Sequence, residues 1–105
     1  MLKRSSSALL FLLSLLCPLP GAVADQSTAR GAALMNACAA CHGPNGRSQG
    51  AIPSIDTLSR ENMITALRAF RAGERQGTIM NRIAKGLDDD DIAALAAHVA
   101  ASQSR

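Results

Sequence analysis

The stretch that decides the fold is "CAACH", Cys38 to His42, followed by Gly43. Positions three and four apart on a helix lie one above the other, so Cys38, Cys41 and His42 share a face and can grip one object. The next residues, Gly43-Pro44-Asn45-Gly46, forbid a helix from continuing. Upstream, Leu34, Met35 and Cys38 fall on one face, which predicts a helix from about Thr28 to Cys41.

Downstream of a loop over residues 43–58, the pattern stays helical. Ser59 reads as an N-cap with Glu61 in the first turn. Met63, Ile64, Leu67 and Phe70 trace an amphipathic stripe, and Gly73 ends the segment. A shorter helix is expected over Thr78 to Lys85, closed by Gly86. The last helix has the plainest start: Asp88 as N-cap, Asp91 three positions on, and Leu87 placed to staple against Ile92. Its apolar face is Ile92, Leu95, Ala96 and Val99. No alternation of apolar and polar residues marks a strand and no repeat divides the chain, so the expectation is an all-α fold in one domain.

The N-terminus reads as an export signal. Lys3 and Arg4 form a positive start, Ala8 to Leu16 an apolar run, and Ala22-Val23-Ala24 an A-x-A cleavage pattern. Residues 1–24 are thus expected to be removed and residues 25–105 to form the working domain, in a bacterial periplasm. The apolar run is too short for a membrane span. Cys17 would suit a lipoprotein only with small residues before it; Leu15 and Leu16 stand there instead.

A domain of residues 25–105 buries little apolar surface and usually needs a staple. Of the chain's two phenylalanines Phe11 falls in the signal, leaving Phe70 as the domain's one aromatic. A Cys38–Cys41 disulfide would close a loop too small to stabilise much. A covalently held cofactor would fill the deficit.

The C-x-x-C-H spacing is the attachment signature of c-type haem: each thiol adds to a vinyl group, and the adjacent imidazole reaches the iron. Three other readings compete. A redox dithiol of the thioredoxin kind needs a βαβ setting. A structural zinc needs four ligands, and beyond Cys38, Cys41 and His42 the domain offers only the distant His98. A simple disulfide is the third.

With haem in place, the sixth position of the iron decides between electron transfer and binding of a gas or substrate. Met35 lies on the helix of the proximal ligand, and Met63 sits in an apolar stripe where methionine fills gaps. Met80, 38 residues after His42 and past a glycine-bearing break, lies on a segment able to return over the far side. His98 is the competing ligand; beside Leu95 and Val99, it reads rather as a partly buried histidine at a helix contact. Pro53, 11 residues after His42, could present a carbonyl to the other imidazole nitrogen.

Signal, CAACHG on a first helix, proline-bearing loop, downstream methionine and final helix together resemble a single-haem class I c-type cytochrome. Within that class, "TIMNRIAKGLDDDDIAALAAHVA", Thr78 to Ala100, is similar to the cytochrome subunit of flavocytochrome c sulfide dehydrogenases. The resemblance implies three to four helices around one haem, Cys38 and Cys41 as its attachment points, and His42 and Met80 as its axial ligands. It also implies electron transfer with redox protein partners. The alternative it carries is an electron-accepting subunit beside a flavoprotein, with catalysis on the partner; a sensory role would need a vacant sixth site.

Charge is divided. Residues 25–87 carry eight basic and four acidic side chains, and residues 88–105 four aspartates and one arginine. The run Asp88 to Asp91 is explained by capping and the helix dipole, and otherwise would dock a partner. Arg68, Arg71 and Arg75 are expected on the polar face of the second helix, as a solvated stripe or a steering surface for an acidic partner. Export, and a net charge that falls from +3 to +1 when Lys3 and Arg4 leave with the signal, speak against nucleic acid.

Overall fold

The structure is a computed structural model that describes residues 20–105. The expected Lys3-Arg4 start, the apolar run Ala8 to Leu16 and Cys17 lie outside the described residues. Among the described residues there are four helices, α1 (Pro20–His42), α2 (Arg60–Ala72), α3 (Met80–Lys85) and α4 (Asp89–Ser102), with a short 3-10 turn at Pro44–Gly46. Among the described residues there is no strand, as the absence of alternation predicts.

α1 starts two turns earlier than expected. Pro20 has the fixed φ that suits a first helical position, and the alanine-rich run after it contains no breaker. Thr28, expected near the start, sits inside the helix with its hydroxyl donating to the Ala24 carbonyl at 3.0 Å. Residues 20–30 are all exposed, and the first buried residue of α1 is Gly31. The helix stops at His42 because Gly43 takes a φ of +88° and Pro44 has no N–H to give.

α2 begins where Ser59 predicts: its hydroxyl accepts from the Asn62 amide at 3.1 Å, and Gly73 closes the helix in the left-handed conformation. α3 is shorter than the expected Thr78–Lys85, since its first helical residue is Met80 and no side chain caps it. α4 has the full capping box. Asp88 accepts from the Asp91 amide at 2.7 Å while the Asp91 carboxylate accepts from the Asp88 amide at 3.1 Å.

The core lies where α1, α2 and α4 meet. Met35, Met63, Leu67, Ile92, Leu95, Ala96 and Val99 are buried there, and Leu87 packs against them as the expected staple. Among the described residues Ile92 and Leu95 are the largest fully buried side chains, so the core is as thin as the shortage of aromatics suggests. α1 and α4 cross at their closest at Gly31: a Cβ there would lie 2.4 Å from the Ala94 carbonyl oxygen. His98 sits at the same crossing, half-buried, its Cβ 3.0 Å from that position.

The acidic run at the head of α4 bolts the three long helices together. Arg30 of α1 reaches Asp91 at 2.6 Å and Asp88 at 3.1 Å. Arg71 of α2 reaches Asp89 at 2.7 Å and gives a second bond to the Leu87 carbonyl at 3.1 Å. Asp89 carries Arg68 as well, at 3.6 Å.

Candidate functional site

Cys38 and Cys41 lie on the last turn of α1 and both thiols are free. Cys38 is half-buried and packs against the core, and its burial pushes the thiol above the ordinary cysteine range. Cys41 is exposed beside a shallow groove of about 370 Å³, lined by Ala39, Ala40, Pro44, Ala51 and Ile52.

His42 follows at the helix terminus. Its Nδ1 donates to the Pro53 carbonyl at 2.5 Å, the contact expected for a ligating imidazole. A carbonyl can only accept, so this bond needs the proton on Nδ1; in the neutral imidazole Nε2 is then the nitrogen with the lone pair.

The loop that carries Pro53 is braced from several sides. Ile55 donates its amide to the Gly46 carbonyl at 2.8 Å, Arg47 pairs with Asp56 at 3.1 Å, and the Ser48 amide donates to Ser54 Oγ at 2.9 Å. From the far end of α4, Gln103 Nε2 donates to the carbonyls of Asp56 at 2.9 Å and Leu58 at 2.8 Å. Sequence reading missed Gln103; an amide side chain just past an alanine-rich helix carries no signal until the loop is seen beneath it.

The remaining candidates divide cleanly. Met35 and Met63 are buried in the core, with the Met35 methyl directly under Gly46. His98 lies at the Gly31 crossing, seven residues before Cys38, or about 10 Å along α1. Met80 opens α3, half-buried, and packs against the same core as Cys38. The neighbouring Asn81 is the second missed residue: its side chain bonds three backbone groups of the segment before Met80.

The expected arginine stripe needs correction. Arg75 lies beyond the end of α2 and stacks its guanidinium on the Phe70 ring, 4.7 Å from the centroid. Arg68 and Arg71 are engaged by Asp89, so they form part of the helix-to-helix network.

The donor set suits the haem that the sequence points to. Covalent attachment needs two unpaired thiols one helical turn apart, and ligation through Nε2 suits an imidazole that donates from Nδ1; the thiols and the Nδ1 bond to Pro53 are present. The same segments carry exposed apolar side chains, Ile52 at 43%, Ile79 at 51% and Ile83 at 50%, which a planar apolar group can cover. Among the described residues no helix is long and apolar enough to cross a membrane.

Residues 28–103 match the family described as Cytochrome c. The chain is 44% identical over 71 residues to the cytochrome subunit of sulfide dehydrogenase from Chlorobaculum tepidum, covering 68% of this chain and 64% of that subunit. It is 34% identical over 70 residues to cytochrome c-554(548) of Halomonas halodenitrificans, covering 63% and 84%. It is 36% identical over 67 residues to a thiosulfate dehydrogenase electron acceptor from Stutzerimonas stutzeri, covering 60% and 31%. The chain thus spans less than two thirds of the sulfide dehydrogenase subunit's length.

Proposed function

The chain belongs to the cytochrome c family, and from that premise we propose that it is a periplasmic electron carrier with His42 and Met80 as the axial ligands of one haem c. Cys38 and Cys41 are the thioether attachment points. The haem supplies a one-electron ferric/ferrous couple; the chain supplies its position, its ligands and its shielding from water.

The observation that carries this reading is the bond from His42 Nδ1 to the Pro53 carbonyl. It favours the tautomer in which Nε2 is free to ligate, and it makes the imidazole a stronger donor to a metal. Met80 is supported as the sixth ligand by elimination and by place. Met35 and Met63 are enclosed in the core, His98 is occupied at the α1–α4 crossing, and Met80 stands half-buried at the head of its own short helix. Export is supported by the A-x-A pattern at residues 22–24, since cleavage after Ala24 removes no buried side chain from the described residues.

Redox titration with optical spectra of the wild type and Met80→Ala tests the ligand set. The variant is expected to lose the methionine-to-iron charge-transfer band and to fall in potential. An unchanged spectrum would remove Met80 from the iron.

A second reading is favoured by the 44% identity to a sulfide dehydrogenase subunit: this chain takes electrons from a flavoprotein that oxidises sulfide. Copurification of a flavin-bearing subunit with the untagged protein would decide for it, and its absence at native expression would leave the free carrier.

A further inference from the structure

The segment between α2 and α3, residues 73–79, is exposed along its whole length, yet it delivers Met80 to a half-buried position. α3 has little means of holding that position alone. It has six residues, too few to be stable by itself, and its N-cap Ile79 offers no side-chain hydrogen bond. What anchors its first turn is Asn81. Asn81 Nδ2 donates to the Phe70 carbonyl at 2.9 Å and to the Arg75 carbonyl at 2.7 Å, while its Oδ1 accepts from the Gly77 amide at 2.9 Å. Two carbonyls can be met only by the NH₂ and an N–H only by the oxygen, so the three partners fix the amide's orientation. One side chain thus ties the last turn of α2, the middle of the connecting segment and the residue next to Met80. Gly77 completes the fit: a Cβ there would stand 2.9 Å from the Phe70 ring and 3.4 Å from the Met80 Cβ.

We propose that Asn81 is a positioning residue for the sixth ligand, a clamp that holds the Met80 sulfur at the iron by fixing the segment behind it. The proposal rests on the reading of Met80 as axial ligand. When the clamp is removed, water replaces the exposed bonds to Arg75 and Gly77, and the part-buried Phe70 carbonyl keeps its bond from the Gly73 amide at 3.3 Å. The fold then survives, and the loss falls on the equilibrium between bound and released methionine.

That equilibrium is read by an added ligand. Imidazole enters the ferric iron only where methionine has left, so its apparent affinity rises with the released fraction. Wild type, Asn81→Ala, Asn81→Asp and Met80→Ala are compared as holoproteins, by imidazole titration well below the unfolding temperature and by the charge-transfer band. Asn81→Ala is expected to bind imidazole about tenfold or more tightly, the weight of two ordinary hydrogen bonds. Asn81→Asp keeps the Gly77 bond and loses both donors, so it too should bind more tightly than wild type. A residue important only to overall stability would lower the unfolding midpoint and leave imidazole affinity unchanged; that result overturns the proposal. If Met80→Ala itself alters neither the band nor the affinity, the axial reading fails and the clamp with it. If Met80→Ala alters both while the two Asn81 variants match wild type, only the clamp fails.

Discussion

Arg30 and Asp91 meet at 2.6 Å across 61 residues of chain, joining α1 to the cap of α4. The same Asp91 closes the capping box with Asp88, so one carboxylate both starts a helix and fixes it to its neighbour. Asp88→Ala should therefore cost about 1 kcal/mol from the lost cap. Guanidinium denaturation of the holoprotein measures it, and a loss much smaller than that would mean the box is made by Asp91 alone.

Protonation acts on the same network. The Arg71 bond holds the Asp89 carboxyl below the usual range, and the Asp88 backbone bond, aided by Arg30, does the same for Asp91. Depressed carboxylates contribute stability that is present above their unfolded values, near pH 4, and disappears as pH falls through the lower folded values. Acid unfolding should accordingly steepen below about pH 4. In Asp89→Asn that loss should be shallower, as followed by helical circular dichroism from pH 6 to pH 2, whereas an unchanged slope would place the acid sensitivity elsewhere.

At the α1–α4 crossing, Gly31→Ala sets two effects against each other. Alanine is the better helix former by about 1 kcal/mol. A Cβ 2.4 Å from the Ala94 carbonyl oxygen forces the two backbones apart, an overpacking cost of about 1–3 kcal/mol. The neighbour is backbone and cannot turn away, so net destabilisation is expected. Thermal unfolding of the variant checks the sign.

Pro53→Ala keeps the carbonyl that His42 uses but frees the loop in the unfolded chain. Stability should fall by about 0.4–1 kcal/mol while the haem spectrum stays close to that of the wild type. A shifted axial spectrum would mean that proline's rigidity, beyond the bond itself, orients the imidazole.

Much of this molecule was legible in its residues. Ser59, Gly73, Asp88 and Asp91 gave both helix termini and boundaries because capping is a local matter, settled within four positions. The contact of His42 with the Pro53 carbonyl is legible because both lie within one turn and one loop. What escaped depended on separation. Nothing near Asn81 announces that it closes the segment behind it, and nothing near Gln103 announces a loop forty-five residues away. The arginines of α2 looked solvated because their partner Asp89 lies on another helix. The early start of α1 was hidden by Thr28, a residue equally at home as a cap or bonded back into a helix.

The bonds from Gln103 to Asp56 and Leu58 also make the loop depend on the far end of the chain. The CAACH turn is complete in the chain some sixty residues before Gln103, the side chain that latches its loop. A contact over such separation closes a long loop, at a greater cost in chain entropy than a local turn. Ending the chain before Gln103 would therefore remove the latch from the loop beneath His42 while leaving the CAACH turn itself intact.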